Sequence, residues 1–176
     1  GYKLKGDFGG PLLSVDITDV ENRIPDSNSV DYSSISIEDL VSQNKVVYVD
    51  LEDMYCKHAE ANFDLDAIRS SDMNFAYDAM YGAGMAAFQR LLPDATFLHC
   101  DNNPGFLGTA PEPIHRNLQE FSNLMRDNNI DCGLATDGDA DRIGLYDNNG
   151  NFIDSHHIIL LLIHYLVKYK GMKGKV

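Results

Sequence analysis

The chain has 176 residues, 44% of them hydrophobic and 23% charged, which is ordinary for a globular protein and enough for one sizeable domain with pieces of its neighbours. Its 27 acidic residues against 14 basic ones give a formal charge of −13. Nucleic acid and anionic membrane surfaces attract an excess of Lys and Arg, so neither is an expected partner. The basic run "KYKGMKGKV" at the end of the sequence is read as the complement of a helix C-terminus.

Residues 1–45 are broken by Gly9-Gly10-Pro11, Pro25 and Ser/Asp/Asn clusters, and predict a strand, a short helix near 16–24 and a linker. From about residue 46 the pattern turns regular. "VVYV" is apolar and β-branched, and the next run places Leu51, Met54, Tyr55, Phe63, Leu65 and Ile68 at roughly helical spacing. "MNFAYDAM" at 73–80 predicts a strand, Gly82-Ala83-Gly84 a turn, and "MAAFQRLL" at 85–92 a helix stopped by Pro93. "TFLHC" is the next expected strand. A loop rich in Asn, Pro and Gly then leads to a helix over 114–128, with Ile114, Leu118, Phe121, Leu124 and Met125 on one face. Strands follow at 132–136 and 143–146, the second turning at "DNNG" into "NFI", an Asn-Gly hairpin signal. A helix over 155–170, capped by Asp154 or Ser155, ends the reading. Strands alternating with helices predict an α/β fold: a three-layer α/β/α domain with a mixed, mostly parallel sheet.

The stretch with the most chemistry is "ATDGDADRIGLYD" at 135–147. Asp137, Asp139 and Asp141 alternate with Gly138 and Ala140, and Arg142 follows. Alternate side chains of an extended loop can project together, and three converging carboxylates form an oxygen cage suited to Mg²⁺. A solvated acidic hairpin loop is the alternative. An EF-hand starting at Asp137 fails, because Arg142 and Asn148 occupy the positions that need Gly and Glu. A phosphatase-type D-x-D-x-T loop fails at Asp141.

Other features carry less. "GAGMAA" at 82–87, with Asp101 after the following strand, outlines a dinucleotide-binding fingerprint, but tight helix–sheet packing explains the same glycines. His156-His157 are adjacent and diverge on a helix, and Ser155-His156 lacks a third, orienting group. His58, His99, His115 and His164 are expected at the core edge or surface. Cys56, Cys100 and Cys132 lack zinc-type spacing and read as three buried, reduced thiols, which places the protein in the cytoplasm. The apolar run at 156–167 is too short to span a bilayer, and no signal peptide precedes it.

The run "TDGDADRIGLYDNNGNFI" resembles the metal-binding loop of the α-D-phosphohexomutases, the phosphoglucomutase/phosphomannomutase superfamily. "GYKLK" with Gly9-Gly10-Pro11 is similar to the end of that family's first domain. "DLDAIRSSDMNFAYDAMYGAGMAAFQRLL" and "NNPGFLGTAPEPIHRNLQEF" are similar to its second domain, and "FIDSHHIILLLIHYL" to the start of its third. The resemblance implies a four-domain enzyme that interconverts hexose 1- and 6-phosphates, glucose first and mannose next, through a phosphoserine outside this chain. It implies Asp137, Asp139 and Asp141 as Mg²⁺ ligands, and Arg142 as a residue positioning phosphate or sugar. The division expected from it is 1–45 as domain I tail and linker, 46–154 as domain II, and 155–176 as the first helix of domain III. The other domains of a parent chain are then its partners. The family's T-x-S-H-N-P, G-E-x-S-G-H and Ser/Thr/Arg-rich phosphate motifs are absent, and the chain starts at Gly1 rather than Met. An excised segment without mutase activity of its own is therefore expected. The rival is a stand-alone α/β nucleotide- or cation-binding module without catalysis.

Overall fold

The computed structural model describes residues 3–27 and 31–175. Gly1 and Tyr2 of the "GYKLK" stretch, residues 28–30 of the expected linker, and Val176 lie outside the described residues. The chain divides into two compact units, Gly1–Val49 and Asp50–Val176.

In the first unit the expected strand is reduced to an isolated antiparallel bridge between Lys5 and Pro11. Its turn is closed by Gly6 N–H donating to Gly10 carbonyl at 2.9 Å, with Gly9 at φ +81°. Helix α1 covers Ser14–Glu21. Helix α2, Ile37–Ser42, lies where the sequence suggested only linker; Ser36 caps it by accepting from the Asp39 N–H. Val47, Tyr48 and Val49 form no strand and are exposed. β-Branched propensity without a neighbouring edge to pair with does not make a strand.

The second unit begins with α3 (Leu51–Asn62) and α4 (Leu65–Arg69), capped by Asp50 and Asp64. The helical spacing misjudged the buried face of α3: Leu51, Met54 and Tyr55 are exposed, while Cys56 and Ala59 are buried. Next come β1 (Phe75–Asp78), α5 (Met85–Leu91) and β2 (Thr96–Leu98). The expected 114–128 helix is a 3₁₀ turn, His115–Asn117, followed by α6, Gln119–Asp127. β3 (Cys132–Thr136), β4 (Ile143–Asp147), β5 (Phe152–Ile153) and α7 (Ser155–His164) complete it. Asp154 caps α7, and Tyr165–Tyr169 continue as a wider π turn. Ile159, Leu160, Leu161 and Leu162 on α7 are all more than half exposed.

The five strands lie in the order β2-β1-β3-β4-β5. β1 pairs in parallel with β2 and β3, while β3–β4 and β4–β5 are antiparallel, so the mixed sheet is evenly divided between the two senses. On one face α6 buries Leu118, Phe121 and Met125 against Ala76, Ala135 and Tyr146. Burying each such large side chain contributes roughly 1.5–3 kcal/mol. Phe121 meets Tyr146 edge-on with centroids 5.5 Å apart, a favoured aromatic geometry. Gly133 lets α6 approach, since a Cβ there would sit 2.6 Å from Met125 Sδ. On the other face the Tyr77 ring stacks on Phe88 of α5 at 3.9 Å, and its hydroxyl lies 2.7 Å from Thr136 Oγ1. α3 backs α5 through Asp53 and Arg90, 3.0 Å apart. The three layers are in place. Because β2, β1 and β3 run parallel, their C-terminal ends share one sheet edge, where ligand sites gather in α/β folds.

Candidate metal centre

The loop between β3 and β4 stands at that edge. Thr136 pairs with Ile143 across the ladder, so residues 137–142 form the whole connection. Asp137 holds it in shape. Its Oδ1 accepts the backbone N–H of Asp141 at 2.9 Å and of Arg142 at 3.0 Å, and its Oδ2 accepts from Arg142 Nε at 2.7 Å. Ala140, at φ +59°, makes the turn and donates its N–H to Asp137 carbonyl at 3.1 Å. The three aspartates converge: one carboxylate oxygen from each lies within 4.8 Å of the others. Asp137 is buried, and Asp139 and Asp141 are exposed.

The charges are unequal. Burial works against ionisation of Asp137, but the hydrogen bonds from Arg142 and from the Asp141 amide outweigh it and hold the carboxyl below its ordinary value. At Asp141 the carboxylates of Asp139 and Asp137 push the carboxyl up. Arg142 is held above its ordinary value by its hydrogen bond to Asp137. Its Nη1 stands 3.9 Å from Glu112 Oε1, so the outer guanidinium nitrogens have only long contacts among the described residues.

This donor set fits a hard divalent cation. It is all oxygen, carries three formal charges and has exposed members able to move. An octahedral Mg²⁺ at about 2.1 Å from its ligands sets opposite oxygens about 4.2 Å apart, a separation compatible with three oxygens that all lie within 4.8 Å of one another. Beside the loop is a cleft of about 640 Å³, with Tyr55, Tyr77 and Phe88 among its walls and Asp139, Asp141 and Arg142 at its rim.

The glycine turn braces this loop. Ala83 N–H donates to Gly138 carbonyl at 3.0 Å, and a Cβ on Gly82 would meet Asp137 carbonyl oxygen at 2.6 Å. Asp101 lies past the end of β2 and is exposed. His156 and His157 are exposed beside Asp154, with His157 Nδ1 at 3.0 Å from its carboxylate. Ser155 opens α7 and is exposed with no side-chain partner among the described residues. His58 and His164 are exposed, and His115 Nδ1 meets the Tyr146 hydroxyl at 3.0 Å. Of the cysteines, all free, only Cys56 is fully buried; Cys100 and Cys132 are half-buried, and burial pushes both thiols up.

Sequence reasoning missed a second buried carboxylate. Asp78 ends β1 with its Oδ1 accepting the Met80 N–H at 2.8 Å and facing His99 Nδ1 at 3.0 Å. An acid and a histidine ending two adjacent apolar strands were the available signal.

Residues 53–150 match the family described as phosphoglucomutase/phosphomannomutase, alpha/beta/alpha domain II. The chain belongs to that family. It is 32% identical over 135 residues to a probable phosphoglucosamine mutase of Pyrococcus furiosus, covering 75% of this chain and 29% of that protein. It is 34% identical over 116 residues to a phosphoglucomutase of Neisseria meningitidis serogroup B, covering 63% of this chain and 24% of that protein. A crystal structure of a putative phosphomannomutase from Thermus thermophilus matches with TM-score 0.66 and 26% identity, over 94% of this chain and 37% of that one. The chain therefore spans less than two fifths of the length of each of these relatives. The family match takes in all three aspartates, Arg142 and Asp78.

Proposed function

We propose that this chain is the metal-holding α/β/α domain of a phosphohexomutase, an intramolecular phosphotransferase interconverting hexose 1-phosphate and hexose 6-phosphate. The observation that carries the reading is the convergence of Asp137, Asp139 and Asp141 on one anchored loop, within a chain of this family. Glucose phosphate is the first substrate to try and mannose phosphate the next, and the relatives named as phosphoglucosamine mutases add the amino sugar.

Asp137, Asp139 and Asp141 would hold Mg²⁺. Bound there, the ion would supply positive charge against the charge of a phosphoryl group in transfer. Asp137 stays ionised because Arg142 and two amides hold it, so one carboxylate is fixed before any ligand arrives. Asp139 and Asp141, exposed and mutually repelling, gain most from a shared cation. Among the described residues Arg142 keeps its outer nitrogens free of close partners, and a guanidinium so placed suits phosphate oxygens. The phosphoserine and the sugar-recognising groups would come from other domains of a parent chain. Free thiols suit a reducing cytoplasm. The nucleotide-module reading loses its footing, since the Ala83 amide is already bonded to the aspartate loop.

The test is to express the complete reading frame containing this chain and assay glucose, mannose and glucosamine phosphates. Turnover that EDTA abolishes, and that Asp139→Asn lowers by about 100-fold or more, is expected. Turnover indifferent to both, or none on any hexose phosphate, would contradict the reading.

A further inference from the structure

A second cavity, of about 160 Å³, lies along the same sheet edge behind Pro111. Tyr81, His99 and Phe106 form its aromatic walls, with Thr109, Asn117 and Glu120 beside them. The Tyr81 and His99 rings are 4.8 Å apart. Behind His99 stands buried Asp78, and in front His99 Nε2 faces Glu120 Oε2 at 3.5 Å. Of the eight described non-glycine residues with positive φ, five line this cavity: Met80, Tyr81, His99, Phe106 and Leu107. Backbone held in the left-handed region at so many bulky residues gathers at ligand clamps more than at ordinary loops.

The field inside is negative. Asp78, Asp101 and Glu120 all act on the Tyr81 phenol, which burial and these carboxylates together push up. Among the described residues no Lys or Arg forms an ion pair with any of the three. His99 stands between Asp78 and Glu120, and with Asp101 the carboxylates outnumber that one imidazole. Aromatic faces beside an excess of carboxylate attract a cation, and an organic one gains from the faces. A bare divalent ion is a poorer fit, since the only described cluster of three metal-ligating groups is the Asp137 loop. The acceptors also suit an ammonium. Asn117 donates its amide nitrogen to the Ala110 and Glu112 carbonyls, which leaves Oδ1 unpaired among the described residues. Thr109 and Glu120 line the same cavity, and each carries an oxygen able to accept from an ammonium. The volume holds about five heavy atoms at roughly 30 Å³ each.

We propose that this cavity binds a primary alkylammonium group, with Glu120 as its counter-charge and Tyr81, His99 and Phe106 as its cage. The source is either a free amine or a lysine side chain, and the test separates them. The isotope-labelled chain is titrated at constant ionic strength with n-butylammonium, N-acetyl-lysine methylamide or n-butanol, following the Tyr81, His99 and Thr109 amides by NMR. Saturable shifts with a dissociation constant of about 1–10 mM for the ammonium probes are expected. n-Butanol should bind roughly tenfold more weakly. Tighter binding of the lysine amide assigns a lysine side chain, and equal or tighter binding of n-butylammonium a free amine. Glu120→Gln, a change at an exposed side chain, should weaken both ammonium probes about fivefold, and Asp139→Asn should leave them unchanged. Equal response to butanol, no saturation, indifference to Glu120→Gln, or loss with Asp139→Asn would each overturn the assignment.

Discussion

Asp78 and Asp137 stand at the ends of adjacent parallel strands, β1 and β3, and each is about 1% exposed. Burial alone would raise both carboxyls. At Asp137 a guanidinium and two amides reverse that, and the group is held below its ordinary value. At Asp78 one amide and an imidazole do not, and burial keeps the carboxyl raised. The difference lies in the balance. Desolvation weighs more heavily on Asp78, which has one amide and an imidazole to offset it. Asp137 has two amides and a guanidinium against a smaller desolvation. One sheet edge thus carries a fixed anion that shapes a loop and a reluctant one that orients a ring.

Truncation should separate the two most strongly. Asp137→Ala removes three charge-assisted bonds and is expected to destabilise the chain by about 3 kcal/mol, against about 1–2 kcal/mol for Asp78→Ala. Urea midpoints at pH 7 check this, and a reversed order would break the comparison. Next in size, Gly82→Ala drives a Cβ into Asp137 carbonyl oxygen and Gly138 Cα, for about 2 kcal/mol with the aspartate loop displaced. A neutral Gly82→Ala would show that the glycine turn does not brace the loop. The finest contrast is one of sign. A lowered carboxyl contributes stability above its unfolded value, near pH 4, and loses it as pH falls through the folded value. A raised one does the reverse, losing its contribution as pH climbs from about 4 through the folded value. Asp137→Asn should therefore flatten the acid limb below pH 4, and Asp78→Asn should flatten the slope just above it. Midpoints at half-unit pH steps read both; equal slopes would mean the two burials are equivalent.

The sequence spoke most clearly where a local rule sufficed. Alternating aspartates, an Asn-Gly turn and β-branched neighbours locate the β3–β4–β5 ribbon, and Asp154 marks the start of α7. It was weaker where tertiary packing decides. "VVYV" has strand-forming residues but no paired edge, and α3 buries the small Cys56 and Ala59 while its larger apolar residues face outward. Leu118 interrupts the long helix because Asn117 ties the chain back to Ala110 and Glu112. In the site, the converging carboxylates were legible from spacing. The Asp78–His99 pair was not, because 21 positions separate the two residues and only parallel pairing of β1 with β2 brings them together.

The central claim is that the aspartate loop holds a divalent cation. Its most direct test is to add substoichiometric Mn²⁺ to the labelled chain, record amide broadening, and compete it with Mg²⁺. Broadening centred on residues 138–142, reversed by Mg²⁺ and lost in the Asp139→Asn, Asp141→Asn double variant, is the predicted result. Broadening spread evenly over the acidic surface, or unchanged in that variant, would contradict it.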